Sequence, residues 1–273
     1  SAKLREKISE GVSSLKAKGI TPGLAVVIVG DDPASRTYVN NKKKACAECR
    51  IYSEEYAMPA ETSEKDLLEL VETLNQRNDI NGILVQLPLP KHISEEKVIA
   101  SINPIKDVDA FHRENVGAIM IGDYAFVPCT PAGVMALLEE YGISVEGKNA
   151  VVIGRSNIVG KPMSMLLLHK NATVTICHSR TKNITEVTKN ADILIAAVGK
   201  LEFVTADMVK EGAVVIDVGT NRNAEGKLRG DVCFDEVAKK ASYITPVPGG
   251  VGPMTITMLL LNTLKAAELQ NNL

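Results

Sequence analysis

Tyr38 and Lys42 stand four residues apart in a stretch with helical spacing, Ala34 to Arg50, so a helix there presents both on one face. The Gly30-Asp31-Asp32-Pro33 turn just before it ends an apolar run, which sets that face at a strand's carboxyl end, where α/β proteins hold ligands. The spacing thus permits a site. The same spacing is more often that of a solvated surface pair. Gln86 interrupts the apolar run Ile83-Leu84-Val85 just before Leu87-Pro88, and an amide in that place needs a partner, in the core or on a ligand. Asp107 and Asp109 flank Val108; in an extended segment both carboxylates point the same way and could meet cationic or N–H-bearing groups together, whereas in a turn they are unremarkable.

A second set surrounds Gly154-Arg155-Ser156-Asn157-Ile158-Val159-Gly160, which follows an apolar run and opens a helical one. In that setting a glycine turn and a helix N-terminus offer N–H groups to a phosphate. The common dinucleotide fingerprint has its second glycine where Ser156 stands and its third at Val159, so the match is partial. The next strand ends in Cys177-His178-Ser179-Arg180, with no carboxylate for ribose hydroxyls. Arg155 and Arg180, with the Ser179 hydroxyl, suit a 2′-phosphate instead, which favours NADP over NAD, although solvated loop arginines would look the same. Cys46-Ala47-Glu48-Cys49 lies inside a helical stretch without a second pair or a nearby histidine, so helix packing is expected there and no metal site. Of the four histidines only His178 adjoins the cofactor edge.

These residues need strands and helices to hold them, and short β-rich runs alternate with helical patterns along most of the chain. The predicted class is α/β, with two α/β domains and an active-site cleft between them. Leu24 to Val29 and Ile83 to Leu87 read as buried strands of a first sheet, with helices at Ala34 to Arg50 and Ser63 to Gln76; Ser63 and Asp66 form a weak capping box. A more regular series of runs starts at Ala150, Thr173, Ile193, Val214 and Tyr243, with one crossover helix per interval, predicting a Rossmann-like, doubly wound parallel sheet. Pro128-Cys129-Thr130-Pro131 marks the boundary, with Thr130 placed to cap a helix starting at Pro131. The expected domains are residues 1–127, completed by a C-terminal helix over 254–273, and residues 128–253. The apolar helix Met163 to Leu168 suits either an interface or the core.

With 31 Lys plus Arg against 33 Asp plus Glu, the net charge of -2 argues against a nucleic-acid partner. The 45% apolar and 23% charged content across 273 residues excludes a disordered, collagen-like or coiled-coil chain. No apolar stretch reaches the roughly 18 to 20 residues of a membrane span. Five cysteines in a long chain suit a reducing compartment, and the expected location is cytoplasmic; an organellar presequence already removed would leave no trace.

Taken with Pro33-Ala34-Ser35 before Tyr38, Val85-Gln86-Leu87-Pro88-Leu89-Pro90, Lys106-Asp107-Val108-Asp109, Gly160-Lys161-Pro162-Met163 and Pro246-Val247-Pro248-Gly249-Gly250-Val251-Gly252-Pro253-Met254-Thr255, the chain resembles the bifunctional methylenetetrahydrofolate dehydrogenase and methenyltetrahydrofolate cyclohydrolase family over essentially its whole length. The resemblance implies a homodimeric NADP enzyme acting on tetrahydrofolate derivatives. Position by position, Lys42 resembles the family's catalytic lysine, Gln86 its amide partner, Tyr38 the residue stacking on the folate, and Asp109 the pterin anchor. Gly249, Gly250 and Pro253 would line the cleft, and Gly154, Arg155, Ser156 and Ser179 the NADP pocket, to which charge adds Arg180. Ala110 stands where the family has Gly, and the chain starts in a helix where the family has a short strand-forming lead. Rival readings are a two-domain NADP dehydrogenase of the shikimate type and an NADP sensor without turnover.

Overall fold

A computed structural model describes residues 1–273. In chain order the first elements are α1 (Ala2–Ala17), β1 (Gly23–Val29), α2 (Pro33–Glu48), β2 (Tyr52–Met58), α3 (Glu64–Gln76), β3 (Gly82–Val85), α4 (Glu95–Ser101), α5 (Arg113–Ile121) and α6 (Cys129–Glu140). There follow β4 (Asn149–Ile153), α7 (Gly160–His169), β5 (Thr173–Cys177), α8 (Ile184–Thr188), β6 (Ile193–Ala196), β7 (Val214–Asp217), β8 (Asn221–Arg222), β9 (Leu228–Arg229), α9 (Phe234–Val237), β10 (Tyr243–Ile244) and α10 (Val251–Gln270). The chain divides into two compact units, residues 1–118, 124–129 and 256–273 in the first, and residues 119–123 and 130–255 in the second. No helix is long and apolar enough to cross a membrane.

The first unit holds a parallel sheet in the order β2-β1-β3. All seven residues of β1 are buried, as its unbroken apolar run requires of a central strand covered on both faces. One face, with Ala25, Val27 and Val29, packs on Leu67, Val71 and Leu74 of α3 and Val98 of α4. Two short polar caps start the helices that frame it. The Asp32 carboxylate accepts the Ser35 N–H at 2.7 Å, and Ser63 Oγ accepts the Asp66 N–H at 3.1 Å while donating to Asp66 Oδ2 at 2.7 Å. Strand β2 carries no clear sequence signal because its YSEEYAM pattern is that of a half-exposed edge, not of a buried strand.

The second unit holds a five-stranded parallel sheet in the order β10-β7-β6-β4-β5. Chain order therefore reverses between β4 and β6, and their carboxyl ends form the switch point at which open α/β sheets bind ligands. Two predicted details differ. The crossover helix expected between the runs at Ile193 and Val214 is only a 3₁₀ turn, at Ala206–Met208. Helix α6 begins at Cys129, so Thr130 is not its cap; its hydroxyl pairs with that of Thr255 at 3.0 Å.

Candidate active site

In the first unit, the Asp32 cap and Pro33 at the first turn start α2 directly after β1, and this orients the face bearing Tyr38 and Lys42. Lys42 Nζ donates to Gln86 Oε1 at 3.0 Å. Gln86 lies just past β3, where its N–H still continues the ladder to the Val27 carbonyl at 2.8 Å. Its amide nitrogen donates to the Leu87 carbonyl at 2.7 Å, which fixes the flip of the amide and leaves Oε1 facing the lysine. Burial lowers the Lys42 pKa below its usual 10.5, with the Asp109 charge opposing the shift.

Asp107 and Asp109 do not share a task. Asp107 is buried and braces a turn, accepting the His112 N–H at 2.7 Å and the Asn115 amide at 2.8 Å. Asp109 takes only the Cys129 thiol, at 3.6 Å, and burial raises its pKa while Lys42 holds it down. A carboxyl with so weak a protein partner is available to a ligand's N–H groups. Ala110 follows with φ of 58°, a left-handed backbone that costs a non-glycine residue roughly 1 to 2 kcal/mol. That conformation is why the position suits Gly.

Two residues that sequence reasoning left unassigned complete this corner. The Cys129 thiol also donates to the Val108 carbonyl at 3.4 Å, and Asn262 of α10 donates to the carbonyls of Val108 at 2.8 Å and Val127 at 2.9 Å. A lone asparagine in an apolar helix was the available signal, since a buried amide must be bonded. Cys46 and Cys49 are both buried, and the Cys49 thiol donates to the Arg5 carbonyl at 3.6 Å, a packing role.

In the second unit, β4 and β5 pair up to Ile153 and Cys177, and the Gly154 N–H donates to the Cys177 carbonyl at 2.9 Å. The loops bearing Arg155 and Arg180 thus leave the sheet side by side, and both arginines and Ser179 are exposed. A Cβ on Gly154 would come within 2.3 Å of the Ala197 carbonyl oxygen, and one on Gly160 within 2.3 Å of the Gly154 oxygen. Gly160, one residue beyond the position expected for the third glycine, therefore supplies the close helix-to-strand approach. Ser156 Oγ accepts the N–H groups of Val159 at 3.2 Å and Gly160 at 3.3 Å, leaving its own proton to donate outward. His178 acts within its loop, its Nδ1 accepting the Arg180 N–H at 3.1 Å. Met163, Leu166 and Leu167 are buried whereas Leu168 is exposed, so that helix packs in the core along most of its length and leaves Leu168 outside. Gly249 takes φ of +100°, Gly250 approaches the Pro246 carbonyl too closely for a Cβ, and Pro253 lies in the first turn of α10.

Residues 1–109 match the model of the tetrahydrofolate dehydrogenase/cyclohydrolase catalytic domain, and residues 128–271 that of the same family's NAD(P)-binding domain. The bifunctional protein FolD of Ruminiclostridium cellulolyticum is 64% identical over 272 residues, covering 100% of this chain and 96% of the relative. The crystal structure of the bifunctional FolD dehydrogenase/cyclohydrolase from Campylobacter jejuni superposes with a TM-score of 0.96 at 53% identity, over 100% of this chain and 96% of that one. The Trypanosoma brucei enzyme, complexed with NADP cofactor and inhibitor, gives 0.95 at 40% identity, again over 100% and 96%. Shikimate 5-dehydrogenase from Thermus thermophilus, at 15% identity and a TM-score of 0.55 over 90% of this chain and 98% of its own, shares the fold alone. Both halves of the sequence, and its full length in the relatives, agree: the chain belongs to the tetrahydrofolate dehydrogenase/cyclohydrolase family.

Proposed function

We propose that this chain oxidises methylenetetrahydrofolate to methenyltetrahydrofolate with NADP and then hydrolyses the product to formyltetrahydrofolate. The observation that carries the reading is the Lys42–Gln86 pair, with the Lys42 pKa lowered by burial and the underused Asp109 carboxyl near enough to oppose that shift. NADP, when bound, accepts the hydride from the methylene carbon. That step asks the protein for positioning. Tyr38, on the same helical face as Lys42, supplies a stacking surface for the folate, and Asp109 accepts from the pterin N–H groups. By the family resemblance, Gly249, Gly250 and Pro253 also contribute to substrate binding.

In the hydrolysis, water adds to the methenyl carbon, one carbon–nitrogen bond of the ring breaks, and one proton is released overall. Neutral Lys42 takes a proton from the attacking water and returns it to the departing nitrogen, while Gln86 holds the amine in place. For the cofactor, the residues present fit the group. The switch point has a glycine turn with no room for side chains, an outward Ser156 hydroxyl, and two arginines with Ser179 but no carboxylate at the end of β5.

Two finer readings accompany this one. Leu168 and Ile176 are exposed, at 51% and 38%, and β5 is an edge strand, which suits a homodimer built on that side of the second unit. All five cysteines are free thiols, which suits the cytoplasm. Near-ultraviolet absorbance after mixing the protein with methylenetetrahydrofolate and NADP, with NAD as control, tests the main reading when followed by a direct assay of methenyltetrahydrofolate decay. NADPH formation with decay faster than spontaneous hydrolysis supports it. Hydride transfer without faster decay overturns the role of Lys42, and NADP binding without either reaction points to a sensor.

A further inference from the structure

The loop after β6, Ala197 to Lys200, forms one lip of the switch point; its Ala197 N–H donates to the Ile153 carbonyl at 2.8 Å, and the Gly154 turn is the other lip. Three successive N–H groups of this loop turn to a single side chain. Val198 and Gly199 donate to Asp231 Oδ2 at 2.6 and 3.0 Å, and Lys200 donates to Asp231 Oδ1 at 2.9 Å. The Asn221 amide adds a fourth bond to Oδ1 at 2.8 Å. Successive N–H groups around a left-handed residue, here Gly199 at φ of 64°, make a concavity that binds anions. In this chain the anion is the protein's own carboxylate, fully buried.

A second carboxylate supports the first. Asp217, at the end of β7, accepts the N–H groups of Gly219 at 2.9 Å, Asp231 at 2.9 Å and Val232 at 3.0 Å, tying down the segment that carries Asp231. Burial pushes the Asp217 carboxyl up to about 6, and the Asp231 charge adds to the shift. Two acids are thus buried side by side and held by backbone N–H and amide donors, yet the loop they organise has Gly199 and Lys200 exposed. Core stability alone would be met as well or better by apolar residues. What this arrangement supplies is a loop of fixed shape whose anion-binding N–H groups are already occupied.

We propose that Asp231 is a positioning residue for NADP: its carboxylate fills the N–H concavity of the Ala197–Lys200 loop, holding that lip of the switch point in one conformation and denying it to the cofactor's own phosphates. The proposal rests on the NADP site described above and deepens it. An asparagine at this position keeps the size but presents an NH₂ group to N–H donors, so about two of the four bonds are lost whichever way the amide lies. The loop must then be ordered when the cofactor binds, which weakens binding.

Calorimetric NADP titration of the wild type, Asp231→Asn and Asn221→Ala, with separate KM values for NADP and folate, tests this. Asp231→Asn is expected to raise the NADP Kd about tenfold or more, and its KM in step, with the folate KM within about twofold. Faster amide exchange at residues 198–200 should accompany the change. Asn221→Ala, which removes one bond and leaves the carboxylate, is expected to raise the Kd about threefold, and it decides the matter if Asp231→Asn does not fold. An NADP Kd unchanged in the folded variants, or NADP and folate constants rising together, overturns the proposal. A wild type that does not bind NADP overturns the reading of the site itself, a result distinct from variants that bind as well as the wild type.

Discussion

Lys42→Met removes the amine while keeping an unbranched side chain out to the ε position, so its consequences follow atom by atom. Gln86 Oε1 loses its donor at 3.0 Å, but the amide nitrogen keeps its bond to the Leu87 carbonyl at 2.7 Å, so the amide stays in place. The lost bond is worth about 1 kcal/mol, and the relief from burying an ammonium offsets it, so stability should change by no more than about 1 kcal/mol. Cyclohydrolase activity should fall by roughly a hundred- to ten-thousandfold, the range for a lost general acid–base group, equivalent to about 2.7 to 5.4 kcal/mol of barrier. Folate binding and hydride transfer, assigned in the proposed function to Tyr38 and Asp109, should fall by less than about tenfold.

The pH dependence has a definite sign. Burial lowers the folded-state pKa of Lys42 below 10.5, so the neutral amine grows as pH rises through that lower value, and the hydrolysis rate grows with it. Folding stability also rises with pH between the folded value and 10.5, because there the unfolded chain binds the proton more tightly. Lys42→Met should lack both limbs. The assays are methenyltetrahydrofolate decay against the spontaneous rate, and folate titration on the same samples. Equal loss of folate affinity and hydrolysis, or hydrolysis within about tenfold of wild type, would refute the role of Lys42.

Arg180→Ala should weaken NADP binding about tenfold and leave NAD binding unchanged, since only the 2′-phosphate separates the two cofactors; equal losses in calorimetry would remove the arginine from the site. Gly160→Ala places a Cβ 2.3 Å from the Gly154 carbonyl oxygen and should cost about 1 to 3 kcal/mol in urea unfolding, with NADP affinity falling as the turn shifts; a fully stable variant would contradict the packing argument. Asp217, raised from 3.8 to about 6, holds its proton more tightly when folded, so its ionisation lowers stability as pH rises through that interval. The wild type minus Asp217→Asn difference in unfolding free energy should therefore drop by about 2 to 3 kcal/mol between pH 4 and pH 7.5, and a flat difference would show that the carboxyl is not held up by burial.

The strands most legible in the sequence were those buried on both faces. An unbroken apolar run needs no partner to be recognised, and Leu24 to Val29 and Ala150 to Ile153 reappear as β1 and β4 within a residue of their expected starts. Helix starts with polar caps were equally plain, because the Ser63 and Asp66 bonds are local. Edge strand β2 and the short hairpin β8–β9 were not, since exposed residues carry no periodic apolar signal and pairing depends on distant neighbours.

The candidate site divides along the same line. Residue type and spacing marked Tyr38, Lys42, Gln86 and the Arg155 and Arg180 loops, because a polar residue in an apolar run or a glycine turn between strand and helix is a local irregularity. Type and spacing alone left Asp107 and Asp109 equivalent, and the tertiary structure gives the physical difference: a single residue lies between them, yet His112 and Asn115 occupy the first while the second has a lone thiol. It also brought Asn262 to the Val108 carbonyl and Asp231 to the Val198–Lys200 loop, across 154 and 31 to 33 residues of chain. Which residues could carry the chemistry was thus written in their types. Which of them remain free to do so was decided by hydrogen bonds between distant segments, since a buried polar atom takes whatever partner the completed fold brings within reach.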